Sequence, residues 1–310
     1  MSKCLSVVIP CYNSENYIGK AIESVLNQSY YPIELIVVDD GSTDNSRNII
    51  SSYGERIKLI PSMNLGACNA RNLGLNHSKY DYVMFLDSDD YLLDGAIPFD
   101  LKDEKIFDLL IGDFLYEKNN IKSNSERNLN TVTPLEFFDL WINGNFIPPC
   151  SVIWRKEFLI KIGSWDVNIK RNQDGEIVLR ALLYNPSICF IKQKIGVYVQ
   201  HEDLNRVSKR KGEEIIVGDI RIFENLFSLA KSRAIIIDSI TLSFAKAWYS
   251  IAYEAYYLGY DNLGEKALSR ARQFGLMGHL GSMRHKIMAS IFGLKIKMYL
   301  SRKFFELRNL

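Results

Sequence analysis

The chain has no cysteines paired at CxxC spacing; its five cysteines, Cys4, Cys11, Cys68, Cys150 and Cys189, are scattered and odd in number. That argues against a disulfide framework and against a zinc site, and it fits a reducing compartment. No run of about 18 apolar residues occurs, so no transmembrane helix is expected. The start, Met1 to Pro10, lacks a basic region followed by a long apolar stretch, so a cytoplasmic protein is the expectation. Net charge is scarce too, +2 over 310 residues, which argues against a nucleic-acid binder. Internal repeats are missing, apart from one imperfect helix-turn-helix pair over 247–271.

What is present is apolar material in short blocks. At 47% hydrophobic the chain can bury a large core and divides into one big domain and an addition. Leu5 to Ile9 predicts a buried strand ended by Pro10, which cannot donate to a ladder. Helical spacing of Tyr17, Ile18, Ala21, Ile22, Val25 and Leu26 predicts a helix with Ser14 as N-cap. Glu34 to Val38 is a second strand, followed by a helix to about Tyr53 capped by Ser42 or Thr43. A third strand covers Ile57 to Ile60, a turn Asn64 to Gly66, a helix Ala67 to His77 and a fourth strand Tyr82 to Leu86. Alternating strands and helices imply parallel pairing.

Three of these strands end in polar residues: Tyr12-Asn13, Asp39-Asp40 and Asp87-Ser88-Asp89. Open α/β sheets bind ligands at that edge. Two carboxylates as close as Asp87 and Asp89 repel, and a hard divalent cation relieves the repulsion. Asp90 reads as the cap of a helix beginning near Tyr91.

The segments Val8-Ile9-Pro10-Cys11-Tyr12-Asn13, Ile36-Val37-Val38-Asp39-Asp40-Gly41-Ser42-Thr43-Asp44, Gly66-Ala67-Cys68-Asn69-Ala70-Arg71-Asn72-Leu73-Gly74 and Phe85-Leu86-Asp87-Ser88-Asp89-Asp90 together resemble the successive motifs of family-2 glycosyltransferases. The resemblance covers about the first 95 residues strongly and continues more weakly to near Ser208. It implies a GT-A fold, an α/β architecture with a mostly parallel sheet flanked by helices. It also implies a nucleotide-sugar donor, a UDP-sugar in the first instance, with Mn²⁺ or Mg²⁺ and inverting transfer. Position by position, it implies that Pro10, Tyr12 and Asp39 hold the nucleobase, Pro10 through its backbone. Arg71 then lies near base and diphosphate, the alternative being a surface helix arginine. Asp87, with Ser88 between, faces ribose and metal, and Asp89 ligates the metal. A cation there would offset the charge growing on a departing nucleoside diphosphate.

Beyond the donor half, Asp108 to Tyr116 predicts a strand, Glu117 to Thr133 a polar loop, Thr133-Pro134 a helix opening that runs through Trp141, and Ser151 to Trp154 another strand. Gly163-Ser164-Trp165-Asp166 and Asn172-Gln173-Asp174-Gly175-Glu176 resemble the family's acceptor-side segment, with Gln173 where a Glu is usual. The resemblance makes Asp174 the base that takes the acceptor's proton, with Asp166 and Glu176 in reserve and a helix N-cap as the structural alternative. It makes His201 a third metal ligand and Arg206 a diphosphate contact. A sugar-1-phosphate nucleotidyltransferase would carry a glycine-rich basic loop after the first strand, and Tyr12-Asn13-Ser14-Glu15 is not one. A non-catalytic scaffold of the same fold would need no intact carboxylates.

From 213 onward the pattern is helical only. The expected domains are therefore 1–212, with a donor half to about 95 and an acceptor half over 96–212, and a helical region 213–310. The stretch Arg284 to Leu310 carries seven basic residues against Glu306 alone, interleaved with apolar ones. Such a pattern fits either a helix lying on an anionic membrane surface or one docked on the aromatic stripe Trp248 to Tyr260. The family resemblance implies a saccharide or lipid-linked saccharide acceptor in surface polysaccharide synthesis, and with the membrane alternative for the tail it implies a cytoplasmic protein held peripherally at the inner face of the plasma membrane.

Overall fold

The computed structural model describes residues 4–28, 32–97, 106–125, 132–201, 210–235 and 238–308. These fall into two compact units. One lies within Met1–Val132, Ile147–Asn168 and Tyr184–Asp203, the other within Thr133–Phe146, Ile169–Leu183 and Leu204–Leu310. The helical unit thus takes in two segments from before residue 212, a different division from the linear one.

The first unit is built on β1 (Leu5–Cys11), β2 (Ile33–Asp39), β3 (Lys58–Pro61) and β4 (Tyr82–Phe85), which pair in parallel in the order β3-β2-β1-β4. Every residue of β1 and β4 is buried, because helices cover both faces of a crossover-linked sheet. The sheet continues through β8 (Val152–Arg155), β6 (Leu109–Lys118), β9 (Ile188–Gln200) and β5 (Tyr91–Leu92), with β7 (Ile121–Asn124) on β6. In this half antiparallel pairs predominate, so the whole sheet is mixed. Pro10 lies inside β1 rather than ending it. Val8 turns its carbonyl to Leu86 on the β4 side, Pro10 faces the same way, and β4 pairs no further than Val8. The missing N–H therefore removes no ladder bond.

Helices α1 (Ile18–Leu26), α2 (Ser46–Ser51), α3 (Ala67–His77) and α5 (Lys156–Lys161) belong to this unit. Gly74 lets α3 approach the sheet, since a Cβ there would sit 2.3 Å from Val8 Cγ1. Neither expected cap forms. Ser14 Oγ bonds Ser88 Oγ instead of opening α1, and Asp44 Oδ1, not Ser42 or Thr43, accepts the Ser46 N–H at the start of α2. Two further expectations fail. Tyr91 starts a two-residue strand, not a helix, so Asp90 caps nothing; and part of the polar stretch after Glu117 folds as β7, a hairpin turned by Asn119 and Asn120, both at positive φ. Asn tolerates that conformation better than most residues, and a local polar ladder can form a strand without an apolar pattern.

The second unit is helical: α4 (Pro134–Ile142), α6 (Gln173–Leu182), α7 (Glu213–Ser232), α8 (Asp238–Leu258), α9 (Asp261–Gln273), α10 (Met283–Phe292) and α11 (Leu294–Arg308). Thr133 and Glu136 close a capping box on α4, with Pro134 following the cap as its fixed φ favours. Phe138, Phe223, Phe227, Phe244 and Phe274 pack ring against ring in its interior.

Candidate active site

Parallel strands deliver their following loops to one edge. Residues 12–17 after β1, 40–45 after β2 and 86–90 after β4 meet there. β6 and β9 run parallel to β4, so Asn119 and His201 arrive at the same edge. The first two loops are stitched together. Asn13 donates its N–H to Ser42 Oγ, Asn13 Oδ1 accepts from Thr43, and Glu15 and Asp44 exchange backbone bonds with the opposite loop. Tyr12 stands clear of this seam, 45% exposed.

The two neighbouring aspartates of the second loop have different work. Asp40 accepts from Ser62 Oγ and from the N–H groups of Leu65 and Gly66, fixing the turn that opens α3. Asp39 is buried at the end of β2 and accepts from Ser42. Beside it, burial pushes the Cys11 thiol up to about 11, which leaves it protonated and inert.

After β4 the Asp87 carbonyl accepts the Asp90 N–H, closing a four-residue turn. In this turn carboxylate oxygens of Asp87, Asp89 and Asp90 all lie within 4.8 Å of one another. Asp87 accepts from Arg71 at 2.6 Å. Arg71 is 4% exposed, so it is not a surface helix arginine; its guanidinium lies over the Trp165 ring at 4.4 Å, and Trp165 meets Phe85 edge-on. Asp90 Oδ1 accepts the Val199 N–H at 2.8 Å, tying down the end of β9 two residues before His201. His201 Nε2 stands 3.7 Å from Asp89 Oδ2, and Tyr17 lies against its ring. Three clustered carboxylates with an imidazole beside them are a fitting donor set for a hard or borderline divalent cation.

A cavity of 610 Å³ opens beside this turn, with Tyr17, Lys20, Asp89, Asp90, Glu117 and His201 on its wall. Glu117 is buried there and accepts from Tyr91 at 2.6 Å, while Lys20 sits over the Tyr91 ring. Burial, then the Glu117 carboxylate, raises the Tyr91 hydroxyl well above its usual range, so it stays a donor.

Sequence reasoning passed over Asn72, which clamps Trp165 by accepting its N–H and donating to its carbonyl. It also missed Tyr17, Lys20 and Glu117 as wall residues. An Asn one position after Arg71, on a helix next to the site, was the available signal for the first; nothing local marks the others.

Asp174 belongs to the second unit, at the second residue of α6, with Asn172 at the N-cap position, so it is not the cap. Glu176 is engaged with Arg180, and Asp166 holds a turn at Asn168. Arg206 lies outside the described residues.

The sheet, its helices and the helical region make up a GT-A type fold. In solved form it is seen in TarS of S. aureus: residues 1–349 in complex with UDP-GlcNAc superpose with a TM-score of 0.60 at 19% identity, over 87% of this chain and 91% of that one. The description "Glycosyl transferase family 2" matches residues 6–162, and the chain belongs to that family of glycosyltransferases. An uncharacterized glycosyltransferase of Haemophilus influenzae is 34% identical over 49% of this chain, a match spanning 62% of that relative, less than two thirds of its length. The minor teichoic acid biosynthesis protein GgaA of Bacillus subtilis is 46% identical over 30% of this chain and 23% of its own.

Proposed function

We propose that the protein is a metal-dependent inverting glycosyltransferase that moves a sugar from a nucleoside-diphosphate donor, a UDP-sugar, to a hydroxyl of a saccharide or lipid-linked saccharide in surface polysaccharide synthesis. The observation that carries this reading is the carboxylate trio at the sheet edge, with Arg71 fixed against Asp87 and His201 against Asp89. The UDP-GlcNAc complex of TarS and the teichoic acid role in the name of GgaA support the donor class and the pathway type.

Tyr12, with its exposed ring, offers a stacking surface for a base, next to the Pro10 backbone and Asp39. Asp87 and Ser88 face the ribose side, and Arg71 orients Asp87. Asp89 and Asp87, with His201 beside them, would hold Mn²⁺ or Mg²⁺, which supplies positive charge where the leaving diphosphate becomes more negative. Arg206 is assigned to the same diphosphate. Asp174 accepts the proton of the attacking hydroxyl. With a lipid-linked acceptor the protein works peripherally at the inner face of the membrane. Among the described residues no helix is long and apolar enough to cross it.

The test is a thermal-shift panel of UDP, GDP, dTDP and CDP with and without Mn²⁺, followed by release of nucleotide from the matching sugar donor. Stabilisation by UDP that depends on Mn²⁺, with donor turnover, is the expected result. Binding without any turnover would favour the non-catalytic scaffold.

A further inference from the structure

Among the described residues the strongest unexplained surface is on the last two helices. α10 and α11 are separated by Gly293 at φ +79, so the basic tail is two helices rather than one. Each has one face packed down. Ala289, Leu294 and Met298 are buried, Tyr249 Oη on α8 meets His285 Nε2 at 2.9 Å, and Lys295 pairs with Asp261 and Glu265 on α9. The docked arrangement expected as one alternative therefore exists.

Docking leaves the other face uncovered. On α10, Met283, Ile287 and Ile291 recur every fourth residue; on α11, Ile296, Leu300, Phe304 and Leu307 do nearly the same. All seven are at least 46% exposed, whereas Leu294 and Met298 are 1% and 0%. At 3.6 residues per turn the α11 stripe lies nearly opposite Leu294 and Met298. A helix with apolar residues on both sides buries only one of them inside its own chain. Soluble surfaces seldom leave such stripes bare unless something binds there.

Charge identifies the occupant. Over 283–307 six basic side chains outnumber Glu306. Lys295 is paired with Asp261 and Glu265, Lys297 lies over the Tyr253 ring of α8, and Arg302 and Lys303 pair with Glu306, which leaves Arg284 and Lys286 as the cations beside the uncovered face. Arg284 and Lys286 make no ion pair among the described residues. A second copy seated on the same face would bring like charges together. A sheet of anionic headgroups over hydrocarbon takes both the cations and the apolar stripe, and no polar partner has to match either.

We infer that the uncovered face of α10 and α11 is a docking surface for an anionic lipid bilayer, formed while the opposite face stays packed on the helical unit. This deepens the peripheral location proposed above and specifies the residues that enter the interface. It makes no use of the sugar-transfer step. Donor hydrolysis in vesicle-free buffer therefore reports on the enzyme reading separately.

The experiment is flotation of the full chain with vesicles of phosphatidylcholine alone or mixed with phosphatidylglycerol. Partition onto the mixed vesicles is expected to be about tenfold greater or more, and to collapse as salt rises. Two double variants dissect the surface: Ile291→Glu with Phe304→Glu removes apolar insertion, and Arg284→Gln with Lys286→Gln removes charge. Both are expected to stay in solution with unchanged melting temperature and donor hydrolysis. Equal binding to both vesicle types would overturn the inference, as would a glutamine variant that binds like the parent. A chain that runs as a dimer until the glutamates are introduced would assign the face to a second copy instead.

Discussion

Arg71 and Asp87 form an ion pair at the carboxyl edge of the sheet: the guanidinium donates to the carboxylate at 2.6 Å while lying over the Trp165 ring. The pair spans two elements, α3 and the turn after β4, so it locks the acidic turn to the helix beside it. Replacing Arg71 by Met removes the partner of a carboxylate that is itself only one quarter exposed. A loss of about 2 kcal/mol in stability is expected, below the figure for a fully buried pair because water reaches Asp87. Affinity for UDP should fall as well. Urea unfolding and UDP titration check both, and an unchanged UDP affinity would remove Arg71 from the donor site.

Asp89→Asn separates metal binding from folding. Its carboxylate is part of the cluster with Asp87 and Asp90, and such a cluster is more stable with one charge fewer when no cation is bound. The melting temperature without metal should hold or rise slightly, while the Mn²⁺-dependent stabilisation by UDP disappears and turnover drops by about 10³-fold or more. Chelation of the parent by EDTA should reproduce that loss.

Asp39 and Asp40 are adjacent and chemically identical, yet opposite outcomes are expected. Asp40→Ala strands the Ser62 hydroxyl and two backbone N–H groups and should destabilise by about 3 kcal/mol. Asp39→Asn keeps an acceptor for Ser42 and should shift stability by less than about 1 kcal/mol, with nucleotide affinity the property that falls. Equal losses of stability would reassign Asp39 to the scaffold.

Asp174→Asn should leave the UDP-induced thermal shift intact while transfer falls by about 10²- to 10⁴-fold. The N-cap position belongs to Asn172, so no large change in stability is expected. A variant that transfers at the parent rate returns the base to Asp166 or Glu176.

The tail supplies a pH dependence. His279 and His285 both titrate below the ordinary histidine range, through burial first and then through Arg272 and Lys297 respectively. A depressed folded pKa means that the unfolded chain binds the extra proton first as pH falls. Stability is thus full above the unfolded value of 6.5 and declines below it, until the folded-state values are passed. The melting temperature should drop between pH 7.5 and 5, and His285→Asn should flatten that drop. A slope identical to the parent's would place the titration elsewhere.

Much of the fold and site was legible because the relevant forces are local. The apolar blocks Leu5 to Ile9 and Tyr82 to Phe85 admit little except buried strands, and Thr133-Pro134-Leu135-Glu136 spells a capped helix start in four residues. The placement of carboxylates after strand ends followed from parallel topology alone. What the linear order could not decide were competitions among distant partners. Ser14, Ser42 and Thr43 are good caps in isolation, but each found a partner in the facing loop about 30 residues or more away. Asp90 left its expected helix because Val199, far along the chain, offers it an N–H and Tyr91 an adjoining strand register. The tail shows the same division. Its sequence specified an apolar, basic helix; only the tertiary structure split it at Gly293, and only packing against α8 and α9 chose which apolar face is buried and which is left to meet something else.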